Sequence, residues 1–147
     1  MRVLVDTNVL LRSAQPDHPS FFQGSESIVR LLQQRHHLFF CQQNIVEFWS
    51  VATRPLARNG LGLSQEAVLK EIASIEGNLT LLPDTPAIYG AWKNIVAKHR
   101  VVGAKVHDAR LVAVMMVYGI ASILTFNSVD FQRYSAINAL LPASVLA

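Results

Sequence analysis

After Met1 the chain runs Arg2-Val3-Leu4-Val5-Asp6-Thr7-Asn8, and this stretch decides its fold class. Val3, Leu4 and Val5 form a short, continuous apolar run with two β-branched residues, which is typical of a strand buried on both faces. Asp6 then falls at the carboxyl end of that strand, where open α/β sheets bind their ligands. Because a lone carboxylate stripped of water is costly, the stretch predicts that Asp6 either caps the next helix or holds a cation.

Further strand-like segments alternate with helical patterns along the rest of the chain. The strands are expected at residues 38–41, 79–82, 122–125 and 136–140, and the helices at about 8–13, 20–35, 45–53, 64–76, 85–99 and 106–118. Asn44 is the expected cap of the third helix and Gly77 the expected end of the fourth. The alternation predicts one α/β domain over residues 1–147, a three-layer α/β/α sandwich with a mostly parallel central sheet of about five strands.

The composition agrees with such a sheet and limits the function classes. Hydrophobic residues make up 51% of the 147 residues and charged residues 16%, as suits strands covered by helices on both faces. The net charge of +3 favours a polyanionic partner. A single cysteine excludes a disulfide framework within the chain. The apolar segment 111–126 is shorter than the roughly 18 residues of a membrane span, so we expect a cytoplasmic protein with no membrane segment.

Three of the ten acidic residues lie among apolar neighbours, each near a strand end or a helix start. They are Asp6, Glu47 and Asp108, and in a parallel sheet with right-handed crossovers all three can converge at the carboxyl edge. Asp130 follows the fourth strand onto the same edge. Carboxylates in one small pocket need a counter-charge, and a hard divalent cation such as Mg²⁺ is the usual one. The alternative is that each acid is a separate helix cap or dipole partner.

Four motifs together resemble the PIN domain, and the chain is similar in size to the VapC-type toxins of bacterial toxin–antitoxin pairs. The motifs are Val3–Asn8, the helix carrying Glu47, Val106-His107-Asp108-Ala109, and Thr125–Phe131. The resemblance implies an endoribonuclease that depends on Mg²⁺ or Mn²⁺. It implies that Asp6 and Asp108 are the main metal ligands and that Glu47 completes the metal site or orients the attacking water.

The same resemblance places a fourth catalytic acid after Thr125. The first candidate position holds Asn127, which has no charge, and Asp130 follows three residues later. Asn8, Thr125 and Asn127 resemble the polar residues that order such a site. The resemblance also implies three partners: an RNA substrate, a cognate antitoxin that covers the site, and a second copy of the chain in a homodimer.

Basic residues cluster around Asp108 and follow the Glu47 helix. Those expected to bind RNA phosphates are Arg54, Arg58, Arg100, Lys105 and Arg110. Such contacts position a nucleic-acid backbone without reading its sequence. The alternative interpretation is an ordinary solvated helix end.

Two other functions are compatible with a strand that ends in aspartate. One is an aspartate-nucleophile phosphohydrolase similar to haloacid dehalogenase-like enzymes, which need a second aspartate two residues later. Asn8 occupies that position and argues against this class. The other is a non-catalytic binding module, for which three acids in apolar surroundings would be expensive.

Overall fold

Five parallel strands form the central sheet of the computed structural model, which describes the whole chain, residues 1–147. The strands are β1 (Arg2–Val5), β2 (His37–Cys41), β3 (Thr80–Leu82), β4 (Ser122–Leu124) and β5 (Asn138–Leu140). The helices are α1 (Thr7–Ser13), α2 (Phe21–Gln33), α3 (Gln42–Thr53), α4 (Gln65–Asn78), α5 (Pro86–Lys98), α6 (Lys105–Tyr118) and α7 (Pro142–Leu146). Short 3-10 turns occupy Leu56–Arg58 and Ser128–Phe131. The predicted α/β class is confirmed, and every strand pair is parallel.

The opening strand, β1, lies at the centre of the sheet. The strand order is β3-β2-β1-β4-β5, so the chain proceeds outward on one side of β1 and then returns to fill the other side. Val3 pairs with Leu38 of β2 and with Ser122 of β4. The direction of winding therefore changes between β1 and β4, and the carboxyl ends of these two strands border the crevice where such sheets bind ligands.

Two hydrophobic cores lie on opposite faces of the sheet. Alternate residues of β1 enter each core: Leu4 packs with α5 and α6, whereas Val3 and Val5 pack with α1 to α4. This is the period of two expected of a strand. Val3, Leu4 and Val5 are all fully buried. The two covered faces account for the apolar composition, and the predicted three-layer arrangement is confirmed.

Two predicted helix boundaries are wrong for local reasons. Asn44 is not the cap of α3, because the helix begins at Gln42 and the Asn44 side chain reaches back to accept a hydrogen bond from the Cys41 backbone N–H at 2.8 Å. Gly77 does not end α4, which continues to Asn78 and closes with the Leu79 N–H donating to the Ile75 carbonyl.

The last part of the chain also differs from the prediction. β5 covers only Asn138–Leu140, shorter than the expected 136–140, and α7 follows it with Pro142 at its first position. None of the helices combines the length and the apolar character needed to cross a membrane.

Candidate active site

Asp6 lies at the carboxyl end of β1 and is only 7% exposed. Its Oδ1 accepts a hydrogen bond from the Thr7 backbone N–H at 2.7 Å, so the carboxylate caps α1. Its Oδ2 accepts hydrogen bonds from Thr125 Oγ1 at 2.8 Å and from Asn8 Nδ2 at 3.2 Å. Asp6 can therefore both cap α1 and hold a cation, because the carboxylate that caps the helix also lies at the ligand-binding edge of the sheet.

Thr125, which directly follows β4, and Asn8, in α1, hold the Asp6 carboxylate. Thr125 is fully buried, and its Oγ1 accepts from Asn8 Nδ2 at 3.2 Å and from the Asn127 N–H at 3.0 Å. Asn8 Oδ1 in turn accepts from the Phe126 N–H at 3.2 Å. Asn127, expected among the ordering residues, contributes its backbone, while its side chain is exposed. The ends of β1 and β4 are thus joined by one polar network around Asp6.

Glu47 reaches the same edge from α3. Its Oε1 accepts a hydrogen bond from Thr7 Oγ1 at 2.9 Å, and Thr7 Oγ1 accepts from Asn44 Nδ2 at 3.0 Å. Asn44 is fully buried and lies three residues before Glu47, on the same helix face. Glu47 is in the second turn of α3, because the helix starts at Gln42. Thr7 and Asn44 are the positioning residues that the sequence did not reveal, although Thr7 lies within the opening motif.

Asp108 projects from the first turn of α6 and is partly buried. Burial raises its pKa to about 6, the negative charge of Asp130 adds to this rise, and Lys105 opposes it. Burial likewise raises the pKa of Asp6 to about 7; the hydrogen bond from Thr125 opposes the rise, and the charges of Asp108 and Glu47 add to it. The carboxylates are therefore close enough to repel one another, as expected for acids that converge at one edge.

Asp130 and Lys105 lie together at the margin of this group. Asp130 is in the 3-10 turn that follows β4, and its Oδ1 forms an ion pair with Lys105 Nζ at the start of α6. The sequence pattern predicts a catalytic acid at Asp130 and an RNA phosphate contact at Lys105. In the structure the two side chains form an ion pair with each other, so each already has a partner of opposite charge.

The remaining predicted RNA-binding residues fall into two groups. Arg110 is engaged within the protein, since one guanidinium nitrogen lies 3.2 Å from Asp84 Oδ2 and another donates to Gln43 Oε1 at 3.2 Å. Arg54, Arg58 and Arg100 are exposed and form no ion pair with an acidic side chain. Among the arginines predicted to bind RNA, these three have exposed guanidinium groups with no acidic partner.

The donor set suits a hard divalent cation, although the side chains do not form a ready-made cage. No three His, Cys, Asp or Glu side chains stand in a metal-binding arrangement. Mg²⁺ commonly uses only one or two protein carboxylates and completes its shell with water and substrate oxygens. Asp6 and Asp108 offer two such carboxylates, and a cation would offset both the burial that raises their pKa values most and the repulsion that adds to it. Glu47, held by Thr7, adds a third carboxylate to the same group.

Comparisons with known proteins agree with this architecture. Residues 3–137 match the family described as the PIN domain. No curated protein matches the chain at a significant level.

Several solved structures share the fold. VapBC2 from Rickettsia felis, bound to a DNA fragment from its promoter, matches with a TM-score of 0.70 and 12% identity over 96% of this chain and 98% of that one. VapBC-1 from nontypeable Haemophilus influenzae gives a TM-score of 0.68 and 17% identity over 97% and 99%. Mycobacterium tuberculosis VapC20, a Sarcin-Ricin loop cleaving toxin, gives 0.60 and 18% over 82% and 86%.

The structural likenesses show the fold, and the family match extends over residues 3–137, which include Asp6, Glu47, Asp108 and Asp130. The chain belongs to the PIN domain family.

Proposed function

We propose that this chain is an endoribonuclease dependent on Mg²⁺ or Mn²⁺, the toxin of a toxin–antitoxin pair, built as a single PIN domain over residues 1–147. The observation that carries the proposal is the pair of converging carboxylates, Asp6 and Asp108, at the point where the sheet changes its direction of winding. A pair of repelling carboxylates in an apolar setting lowers the free energy of unfolding, which a non-catalytic scaffold has no reason to accept. A hydrolase that depends on a cation needs such a pair.

In this proposal Asp6 and Asp108 would hold the metal, which when bound would supply Lewis-acid chemistry and an activated water for phosphodiester hydrolysis. Thr125 and Asn8 fix the orientation of Asp6 by donating to its Oδ2. Thr7 Oγ1 donates to one carboxylate oxygen of Glu47, which leaves the other oxygen to orient the attacking water or to complete the coordination of the metal when it is bound. The protein thus sets the geometry before substrate arrives, which is where such sites gain most of their rate.

The substrate is proposed to be RNA held by its phosphates. Arg54, Arg58 and Arg100 are exposed and free of acidic partners, and the net charge of +3 favours a polyanion. Arg110 is a weaker candidate, since Asp84 and Gln43 already occupy its guanidinium group.

The proposed partners are a cognate antitoxin and a second copy of the chain. Structural relatives are described as VapBC, in one case as a member of a family of toxin-antitoxin systems, which supports an antitoxin. Two apolar residues that are adjacent in sequence to acids of the site are strongly exposed: Val46 precedes Glu47 and is 63% exposed, and Val129 precedes Asp130 and is 71% exposed. We propose that the antitoxin covers these side chains together with the acids. We expect the chain to bind both the antitoxin and its second copy in the cytoplasm.

The competing phosphohydrolase is less well supported. Asn8 stands where a second aspartate would be needed, and it donates to Asp6 Oδ2, the oxygen that also accepts from Thr125.

An RNA cleavage assay tests the proposal. The purified protein should cleave RNA when Mg²⁺ or Mn²⁺ is added and should stop when EDTA is added. Asp6→Ala or Asp108→Ala should abolish cleavage while the circular dichroism spectrum remains that of a folded α/β protein. Cleavage that persists in EDTA would refute the metal mechanism.

The gene neighbourhood tests the toxin assignment: if a small open reading frame lies beside the gene, its product should be co-expressed with this chain. A stable complex that no longer cleaves RNA supports an antitoxin. A gene neighbourhood that encodes no small inhibitor would favour a housekeeping nuclease.

A further inference from the structure

We propose that the ammonium group of Lys105, held by Asp130, is the second positive charge of the active site and stands in place of a second metal ion. The inference rests on the nuclease function proposed above and deepens it. It predicts a centre with one divalent cation and one ammonium group, the latter directed at the substrate phosphate.

The positions of three charged residues carry the inference. Lys105 begins α6 and Asp108 follows three residues later, so the two side chains lie on the same side of the first helical turn. Asp130 comes from the turn after β4 and binds Lys105 Nζ. The charges of both Lys105 and Asp130 act on Asp108. The Lys105 ammonium group therefore interacts with two carboxylates, those of Asp108 and Asp130, at the same edge of the sheet.

The exposure of the pair indicates which group faces the substrate. The Asp130 side chain is 23% exposed, whereas that of Lys105 is 50% exposed. Asp130 is thus the more enclosed anchor, and Lys105 the outer, reachable group. An ammonium group has three N–H donors, and Asp130 takes one of them. The other two remain for phosphate oxygens.

The same pair explains why a second divalent cation is not expected. Asn127, the first candidate for a fourth acid, contributes only a neutral side chain, which is exposed. Asp130 is the remaining acid, and its carboxylate is already neutralised by Lys105. A second cation at this place would have to displace the ammonium group. A surface ion pair adds little to the free energy of unfolding. We therefore assign the pair a role in the active site, because it lies beside Asp108.

Metal stoichiometry measured by titration calorimetry with Mn²⁺ tests the inference. Wild type should bind one ion. Lys105→Met, which keeps the apolar stem and removes the charge, should bind two, and the double variant Lys105→Met with Asp130→Asn should return to one. Lys105→Arg should bind one, as should Lys70→Met, a matched loss of charge on the exposed surface of α4. Two ions in wild type, or one in Lys105→Met, would overturn the inference.

Kinetics separate this role from simple RNA anchoring. Lys105→Met should lower kcat roughly tenfold or more at low Mn²⁺, by analogy with the loss of one charge-stabilising donor. It should recover activity at millimolar Mn²⁺, and Lys105→Arg should retain most of it. A rise in KM with unchanged kcat would overturn the inference and make Lys105 an RNA anchor. If wild type bound no Mn²⁺ at all, the proposed nuclease function itself would fail, a result distinct from one ion bound in every variant.

Discussion

Thr125 Oγ1 donates a hydrogen bond of 2.8 Å to Asp6 Oδ2 across 119 residues of sequence. The bond joins the ends of β1 and β4, the neighbouring strands between which the winding direction changes. It also opposes the effect of burial on the pKa of Asp6. A single buried hydroxyl group therefore both places the first carboxylate of the site and favours its ionised form.

Replacing this hydroxyl group should weaken metal binding. In Thr125→Val the pKa of Asp6 should rise above its value of about 7, because the stabilising donor is removed. We expect Mn²⁺ affinity at pH 7 to fall roughly tenfold, the equivalent of one pKa unit, and the free energy of unfolding to fall by about 1–3 kcal/mol. Thr125→Ser, which retains the hydroxyl group, is the control. Unchanged Mn²⁺ affinity in Thr125→Val would show that the bond does not serve the site.

The stability of the metal-free protein should decrease as pH rises from about 4 to 7. Burial raises the pKa of Asp6 from 3.8 in its ordinary state to about 7, so the folded protein keeps a proton that the unfolded chain has released. The unfolding free energy then falls with pH over that interval. Between pH 5 and 8 in EDTA we expect Tm to drop by roughly 5–10 °C.

Asp6→Asn should flatten much of this dependence, and the remainder should reflect Asp108, whose pKa is about 6. Asp17→Asn, in an exposed loop, should keep the wild-type profile. A wild-type Tm that rises steadily from pH 5 to 8 would contradict the raised pKa of Asp6.

The negative charge of Glu47 should matter to cleavage more than to folding. Glu47→Gln keeps a carbonyl oxygen that can accept from Thr7 Oγ1, so the contact that links α3 to α1 can persist. We expect little change in Tm and a loss of cleavage of about 100-fold, in the range seen when one preorganised group is removed. Glu47→Ala should lose cleavage and also some stability. Full activity in Glu47→Gln would limit Glu47 to a structural role.

The exposed arginines should govern RNA affinity rather than the chemical step. Arg54→Glu, Arg58→Glu and Arg100→Glu, each made singly, should weaken RNA binding and reduce the slope of its salt dependence by about one for each phosphate that is no longer bound. Lys70→Glu makes the same change in net charge on α4 and should have a smaller effect. Equal reductions in affinity at all four positions would indicate a general charge effect with no defined RNA track.

The sequence was sufficient to predict the fold class and the convergence of the acids. A buried run ending in Asp6, and apolar surroundings for Glu47 and Asp108, imply one sheet edge because parallel strands share their carboxyl ends. Local patterns also predicted the five strands, with small errors at their ends.

The parts that could not be predicted depend on contacts between distant segments. Thr7 carries no charge or periodic signal that points to Glu47, 40 residues away. The predicted roles of Lys105 in phosphate binding and of Asp130 as the fourth acid stay predictions, whereas the ion pair that joins these residues across 25 positions has no signal near either of them in the sequence. The residue type of Asn44 favours a helix cap, whereas its buried amide connects Cys41 to Thr7.

The most direct measurement is the cleavage rate of one end-labelled RNA as Mg²⁺ is increased, for wild type, Asp6→Asn and Asp108→Asn in parallel. We predict that the wild-type rate rises with Mg²⁺, falls to background in EDTA and returns when Mg²⁺ is restored. Both variants should remain at least about 100-fold slower at every concentration. Wild-type cleavage without divalent metal, or wild-type rates in either variant, would contradict a metal centre held by Asp6 and Asp108.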